Sequence, residues 1–221
     1  MRSDAGGVLV IWNDIDEGWD AEFQEWHVRE HMPERVGLPG FLRGQRYVAI
    51  EAKPRYFNFY EARDAAVFSS QTYRERLNNP TPWTRKVVAH FANTARTICN
   101  RVAAVGRGDG AFVETVRFSV DAGARMRGEF LDALVTAKGV VAATLMQGAA
   151  AASAGDSAEK KLRSQPDQLA DWVLVIEAVT PASLLDAKRE VDLRAAGALP
   201  GWQRGVYQLQ FALTQEDGRT N

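Results

Sequence analysis

Apolar positions recur with period two in some stretches and every three or four residues in others, and these periods predict the elements in order. Residues 7–12 (Gly-Val-Leu-Val-Ile-Trp) form a short apolar, β-rich run, which predicts a buried strand. After a polar turn at 13–18, Trp19, Phe23, Trp26 and Glu30 share one stripe of a helix over about 19–32. Pro33 lacks an N–H and disfavours helical geometry at Met32, which puts the helix end there. Leu38-Pro39-Gly40 turns the chain into a strand over 41–51, and Lys53-Pro54 joins it to a strand over 55–61. A helical region over 65–77 follows. Thr81 is then a natural N-cap and Pro82 a natural first residue for a short helix through His90. A fourth strand over 95–105 completes the order βαββαβ.

The same order repeats. Strands are expected over 112–120, 140–147, 172–178 and 205–213, with helices over 125–137 and 182–196. Two short echoes accompany the repeat: Tyr60-Glu61-Ala62 with Ile176-Glu177-Ala178, and Leu38-Pro39-Gly40-Phe41 with Leu199-Pro200-Gly201-Trp202. Residues 106–110 (Gly-Arg-Gly-Asp-Gly) read as a flexible join between a unit at 1–106, carrying the candidate site, and a mainly structural unit at 107–221. Each unit would form a four-stranded antiparallel sheet with helices on one face, and the open faces must be covered. The expected fold is therefore α+β, with two ferredoxin-like βαββαβ units packed sheet to sheet within one chain. Residues 148–168, rich in Ala, Ser and Gly and then charged, are expected to be a lid or a disordered stretch without apolar anchors.

Charge nearly cancels, with 27 Lys and Arg against 28 Asp and Glu, so the basic excess of a nucleic-acid binder is missing. No apolar run reaches membrane-spanning length. The single Cys99 excludes an internal disulfide and fits a reducing compartment, so a cytoplasmic location is expected.

The candidate chemistry gathers in Trp26-His27-Val28-Arg29-Glu30-His31-Met32-Pro33-Glu34-Arg35. On a helix, His27 and His31 lie one above the other, and Phe23 extends the row by one turn. His31 with His27 and Glu30 suits proton transfer, and Trp26, Arg35, Tyr47 and Phe57 would border the ligand. The helix C-terminus, Glu30 and Glu34 favour a protonated His31 that donates to an anionic substrate, while burial opposes it. The same spacing, His27-x-x-Glu30-His31, is the inverted zinc-protease motif, but no third ligand stands out and no metal is expected. Ser157-x-x-Lys160 matches the start of an acyl-enzyme motif, yet Ser157 is more simply the N-cap of the turn at 159–163. Arg43, Arg46 and Arg55 on strands could hold a carboxylate, and Asn78, Asn79 and His90 could flank the same site.

The segment Trp26-His27-x-x-Glu30-His31-Met32-Pro33, followed by Gly40-Phe41 and an aromatic strand, resembles the dimeric α/β-barrel superfamily, and within it the EthD-like proteins. His31 with Pro33 matches the helix-borne histidine and proline of that signature. The resemblance covers residues 7–105, and the second half agrees in element order. It implies an intrachain dimeric α/β barrel and a small-molecule ligand. The implied activity is a metabolic enzyme without organic cofactor, isomerase-, lyase- or monooxygenase-like, acting by His-assisted proton transfer on an aromatic or carbonyl-bearing substrate. The alternatives are a non-catalytic small-molecule binding protein and a haem-binding barrel. A further homodimer is allowed and not required.

Overall fold

The computed structural model describes residues 5–118, 126–194 and 202–215. The first half runs β1 (Gly7–Ile15), α1 (Asp20–Trp26), a π-helical turn (His27–His31), α2 (Met32–Val36), β2 (Phe41–Glu51), β3 (Tyr56–Ala62), α3 (Gln71–Asn78), α4 (Pro82–Val88) and β4 (Phe91–Gly106). The second runs β5 (Phe112–Phe118), α5 (Glu129–Leu134), β6 (Val140–Gly148), α6 (Ala150–Ser153), β7 (Trp172–Ala178), α7 (Pro181–Arg194) and β8 (Gln203–Thr214).

All neighbouring strands are antiparallel, in the order β4-β1-β3-β2 in the first half and β8-β5-β7-β6 in the second. The two sheets do more than face each other. β2 pairs with β8 and β4 with β6, so they close into one eight-stranded barrel that leaves no free edge. Strand alternation then divides the side chains between two layers. Val8, Val10, Trp12, Tyr47, Phe57, Phe59, Cys99, Val113, Met146, Val173, Val175 and Tyr207 fill the interior. On the outside, Leu9, Tyr60 and Ile98 meet Met32, Val36 and Phe68, while Tyr56 meets Phe23, Trp26 and Val87. The second half packs Phe130, Leu131, Leu134, Leu184 and Val191 over the outer face of its own sheet.

The expected elements are present among the described residues, with three physical corrections; positions 119–120, 125 and 195–196 of the expected spans lie outside the described residues. The first helix does not stop at Met32. The Met32 N–H bonds the His27 carbonyl, a π-type bond that widens the helix just before Pro33, and the helical path continues to Val36. A widened turn absorbs the proline that an α-helical register would reject. Residues 65–77 are not one helix: Asp64 caps a 3₁₀ turn (Ala65–Ser69), and extended Ser70 then caps α3. The segment at 148–168 is anchored. Ala149 and Ala152 pack beside Phe68 and Ile98, Leu162 beside Trp26, and the Ser153 hydroxyl accepts the Ile98 N–H at 2.9 Å.

Other local readings hold. Thr81 accepts the Thr84 N–H at 3.0 Å, and Ser157 accepts the Lys160 N–H at 3.2 Å, so both are caps. Gly40 enters β2 at φ +91, where a Cβ would lie 2.6 Å from Val67 Cγ2. Its echo at Leu199-Pro200-Gly201 lies outside the described residues. Among the described residues no helix is long and apolar enough to cross a membrane.

Candidate functional site

The π-turn aims both histidines inward from the helix layer onto the outer face of the first sheet. Their rings stack at 5.5 Å between centroids, and Trp26 lies 4.3 Å from His31. The Tyr60 hydroxyl, on the outward parity of β3, sits 3.0 Å from His27 Nε2. Both Nδ1 atoms are buried without a hydrogen-bond partner. Burial lowers the pKa of His27 well below the ordinary imidazole value, and Arg46 and Arg35 push the same way. Burial does the same to His31, with Arg35, His27 and Arg163 adding to it. The expectation of a protonated His31 is therefore corrected. It lies mid-helix rather than at a C-terminus, and desolvation with flanking guanidinium groups outweighs Glu30 and Glu34.

Glu30 turns away from the histidines. Its Oε1 accepts from the Thr81 hydroxyl at 2.6 Å, the Thr84 hydroxyl at 3.1 Å and Trp26 Nε1 at 3.2 Å, so it ties the first helix to α4. Arg35 is buried and joins the site. It bonds Glu34 at 2.8 Å and pairs with Glu159, which lies 124 residues away in the chain. Arg96, from β4, reaches the Tyr73 hydroxyl at 3.1 Å.

His31, Trp26, Arg35, Tyr60, Tyr73, Arg96, Glu159 and Arg163 border a cavity of about 30 Å³ between helices and sheet. Glu159 and Arg163 come from the β6–β7 connection, so the second half roofs the first half's cavity. Tyr47 and Phe57 do not join it. They face the barrel interior, across the sheet from His31, with tilted rings 5.5 Å apart beside Trp12 and Tyr207. Arg46 lies over Phe23, Arg55 pairs with Asp20 near the surface, and His90 pairs with Asp16 at 3.0 Å. Asn78 accepts the Ala158 N–H and so helps seat the roof.

Tyr60, Tyr73, Arg96, Glu159 and Arg163 were not legible as site residues. Strand parity could have separated Tyr60 from Phe57 and Phe59, but every residue of β3 is buried, so alternation showed no polar face. Nothing local announces that Glu159 meets Arg35.

No protein-family model and no curated protein sequence matches the chain. Several solved structures share its architecture. An anthrone oxidase-like protein superposes with a TM-score of 0.62 at 12% identity, over 99% of this chain and 97% of that one. A protein named as a candidate monooxygenase from Fusobacterium nucleatum gives 0.60 at 11% identity, over 97% and 96%. The chlorite dismutase of Candidatus Nitrospira defluvii gives 0.52 at 10% identity, over 93% and 92%. The chain has the dimeric α/β-barrel fold.

Within this barrel the fit to haem can be tested on the residues themselves. The cavity at His31 holds about 30 Å³, a small fraction of a porphyrin, and His27 Nε2 is engaged by Tyr60. The second half of the barrel carries no histidine. The arrangement does not fit haem. For a bound metal ion the zinc-protease spacing also fails, because Glu30 points to Thr81 and Thr84. Among the described residues no group of three or more His, Cys, Asp or Glu side chains is placed to hold one.

Proposed function

We propose that this barrel is a small-molecule enzyme acting without an organic cofactor, in which neutral His31 accepts a proton from an aromatic or carbonyl-bearing substrate. The observation that carries the reading is the buried, unpartnered Nδ1 of His31 on a cavity ringed by Arg35, Arg96 and Arg163. A neutral imidazole is a base. It can remove a proton from carbon next to a carbonyl, the bonding electrons passing to the carbonyl oxygen. The guanidinium groups then face the enolate so formed, in a site shielded from water. Trp26 supplies a flat apolar wall, His27 and Tyr60 hold the second ring in place, and Glu30 positions Trp26. The His31–Pro33 pair supports an EthD-like affiliation, and the cavity of about 30 Å³ makes small carbonyl compounds the first substrates to try.

The test is exchange of the hydrogens next to the carbonyl of small ketones and aldehydes for deuterium in heavy water, followed by NMR. His31→Ala should lower kcat/KM by roughly 10²–10⁴-fold while the fold is retained. Undiminished turnover in that variant sinks the reading. Arg35 is already paired with Glu34 and Glu159, which favours one other reading, a carrier that binds such small molecules without turning them over. Saturable binding with no product, in the native chain, would establish that instead.

A further inference from the structure

The inward faces of the strands hold a second cavity, across the sheet from His31. It lies at the barrel end where residues 106–110 cross between the halves. Its volume is about 340 Å³, and Arg43, Gln45, Glu61, Asp109, Thr144 and Glu177 line it. Two buried N–H groups on this wall have no partner, Nε of Arg43 and Nε2 of Gln45. Gln45 is only 4% exposed. Buried donors are nearly always paired in folded proteins, so two orphans on one cavity wall point to an acceptor brought by a ligand.

The same wall carries acceptors. Glu61 stands opposite Val8 of β1, and Glu177 opposite Val113 of β5, so the echoed Tyr60-Glu61-Ala62 and Ile176-Glu177-Ala178 each send one carboxylate to this cavity. The basic side is not duplicated. Arg43 and Gln45 on β2 pair with Glu61 and Phe59, while the matching β6 positions, opposite Glu177 and Val175, are Ala142 and Thr144. Arg43 bonds Asp109 at 2.8 Å, Arg101 pairs with Glu61, and the Gly110 N–H donates to Glu177 at 3.2 Å.

We propose that this cavity binds a small zwitterion of the α-amino acid kind, with its carboxylate on the Arg43 and Gln45 N–H groups and its ammonium toward Glu61 and Glu177. A simple anion fits poorly, because among the described residues that line the cavity the carboxylates of Glu61, Asp109 and Glu177 stand beside the single guanidinium group of Arg43. A simple amine fits poorly too, since it leaves both orphaned donors unpaired. A zwitterion meets both demands, and the site is independent of the chemistry at His31.

Calorimetric titration of the full chain at pH 7 with each of the twenty protein amino acids, acetate and ethylamine tests this. At least one amino acid should bind at least about tenfold more tightly than acetate or ethylamine. Gln45→Leu and Arg43→Leu should each weaken that binding by at least about tenfold, and His31→Ala should leave it unchanged. A reading that needs no variant is the Gln45 side-chain amide resonance of the native chain, which should move on saturation. Failure of all twenty amino acids to bind, equal binding of acetate, binding unaffected by Gln45→Leu, or a stationary Gln45 resonance each overturns the proposal. Loss of binding in His31→Ala also overturns it, and would place the ligand in the helix–sheet cavity instead.

Discussion

At the residue scale the decisive fact is that His27 and His31 are held neutral by burial, with neighbouring guanidinium groups acting in the same sense. An unfolded imidazole titrates near about 6.5, so below that pH the unfolded chain takes up protons that the folded chain refuses. The stability linked to these two groups is full above about pH 6.5 and falls as the pH drops toward their depressed folded values. Burial raises the carboxyl pKa values of Glu34 and Glu114, which acts in the opposite direction and leaves the histidine contribution to be read from its own variant. Thermal unfolding should therefore show the melting temperature declining from pH 7 to pH 5, and the double variant His27→Gln/His31→Gln should flatten that decline. An unchanged slope would mean the imidazoles are not buried as described. Tyr60→Phe supplies a separate check, since it strips His27 Nε2 of its partner; urea unfolding should show a loss of about 1–3 kcal/mol. The histidine pair, Trp26 and Arg35 were legible in the sequence because helical spacing alone brings them together. Their protonation was not, because it depends on burial against the sheet and on Arg46 and Arg163 arriving from a strand and from the far half.

At the element scale, hydrophobic period located the strands closely: 41–51 and 172–178 agree end to end with β2 and β7. What it missed was how a proline is carried inside a helix. The π-turn keeps α2 attached, and Arg35 on that extension reaches Glu159. That contact pins the β6–β7 connection over the cavity. Glu159→Gln removes its charge at nearly constant shape, leaving Arg35 with Glu34 alone. Breaking a buried ion pair costs about 3–5 kcal/mol as an upper bound, and the remaining Glu34 reduces it. Amide hydrogen exchange over 149–168 should speed up in this variant while β2 and β3 exchange as before. Equal exchange in both proteins would show that the apolar contacts of Ala149, Ala152 and Leu162 hold the roof without the ion pair.

At the scale of the whole molecule, the repeat in element order told that two sheets must cover each other, and the pairing of β2 with β8 and β4 with β6 shows how they do it. The halves have diverged in what they bring. Inside the barrel the first contributes Trp12, Tyr47, Phe57 and Phe59, and the second mostly smaller residues, Val113, Val173, Val175 and Met146, beside Tyr207. On the outside, the helix of the second half presents Phe130, Leu131 and Leu134 to its sheet where the first presents histidines. Bulk in one half therefore answers small side chains in the other, which close packing requires. Residues 1–106 expressed alone would bare four aromatic side chains and two unpaired strand edges. Self-pairing could close those edges, but it would set Trp12 and Phe57 against copies of themselves, and overpacking of that kind costs about 1–3 kcal/mol or more per site. The expected outcome is that 1–106 alone aggregates or self-associates weakly, whereas co-expression with 107–221 yields a soluble one-to-one complex. Light scattering behind size exclusion reads the result directly. A folded, stable monomer of 1–106 would mean that its inner face does not need the second half.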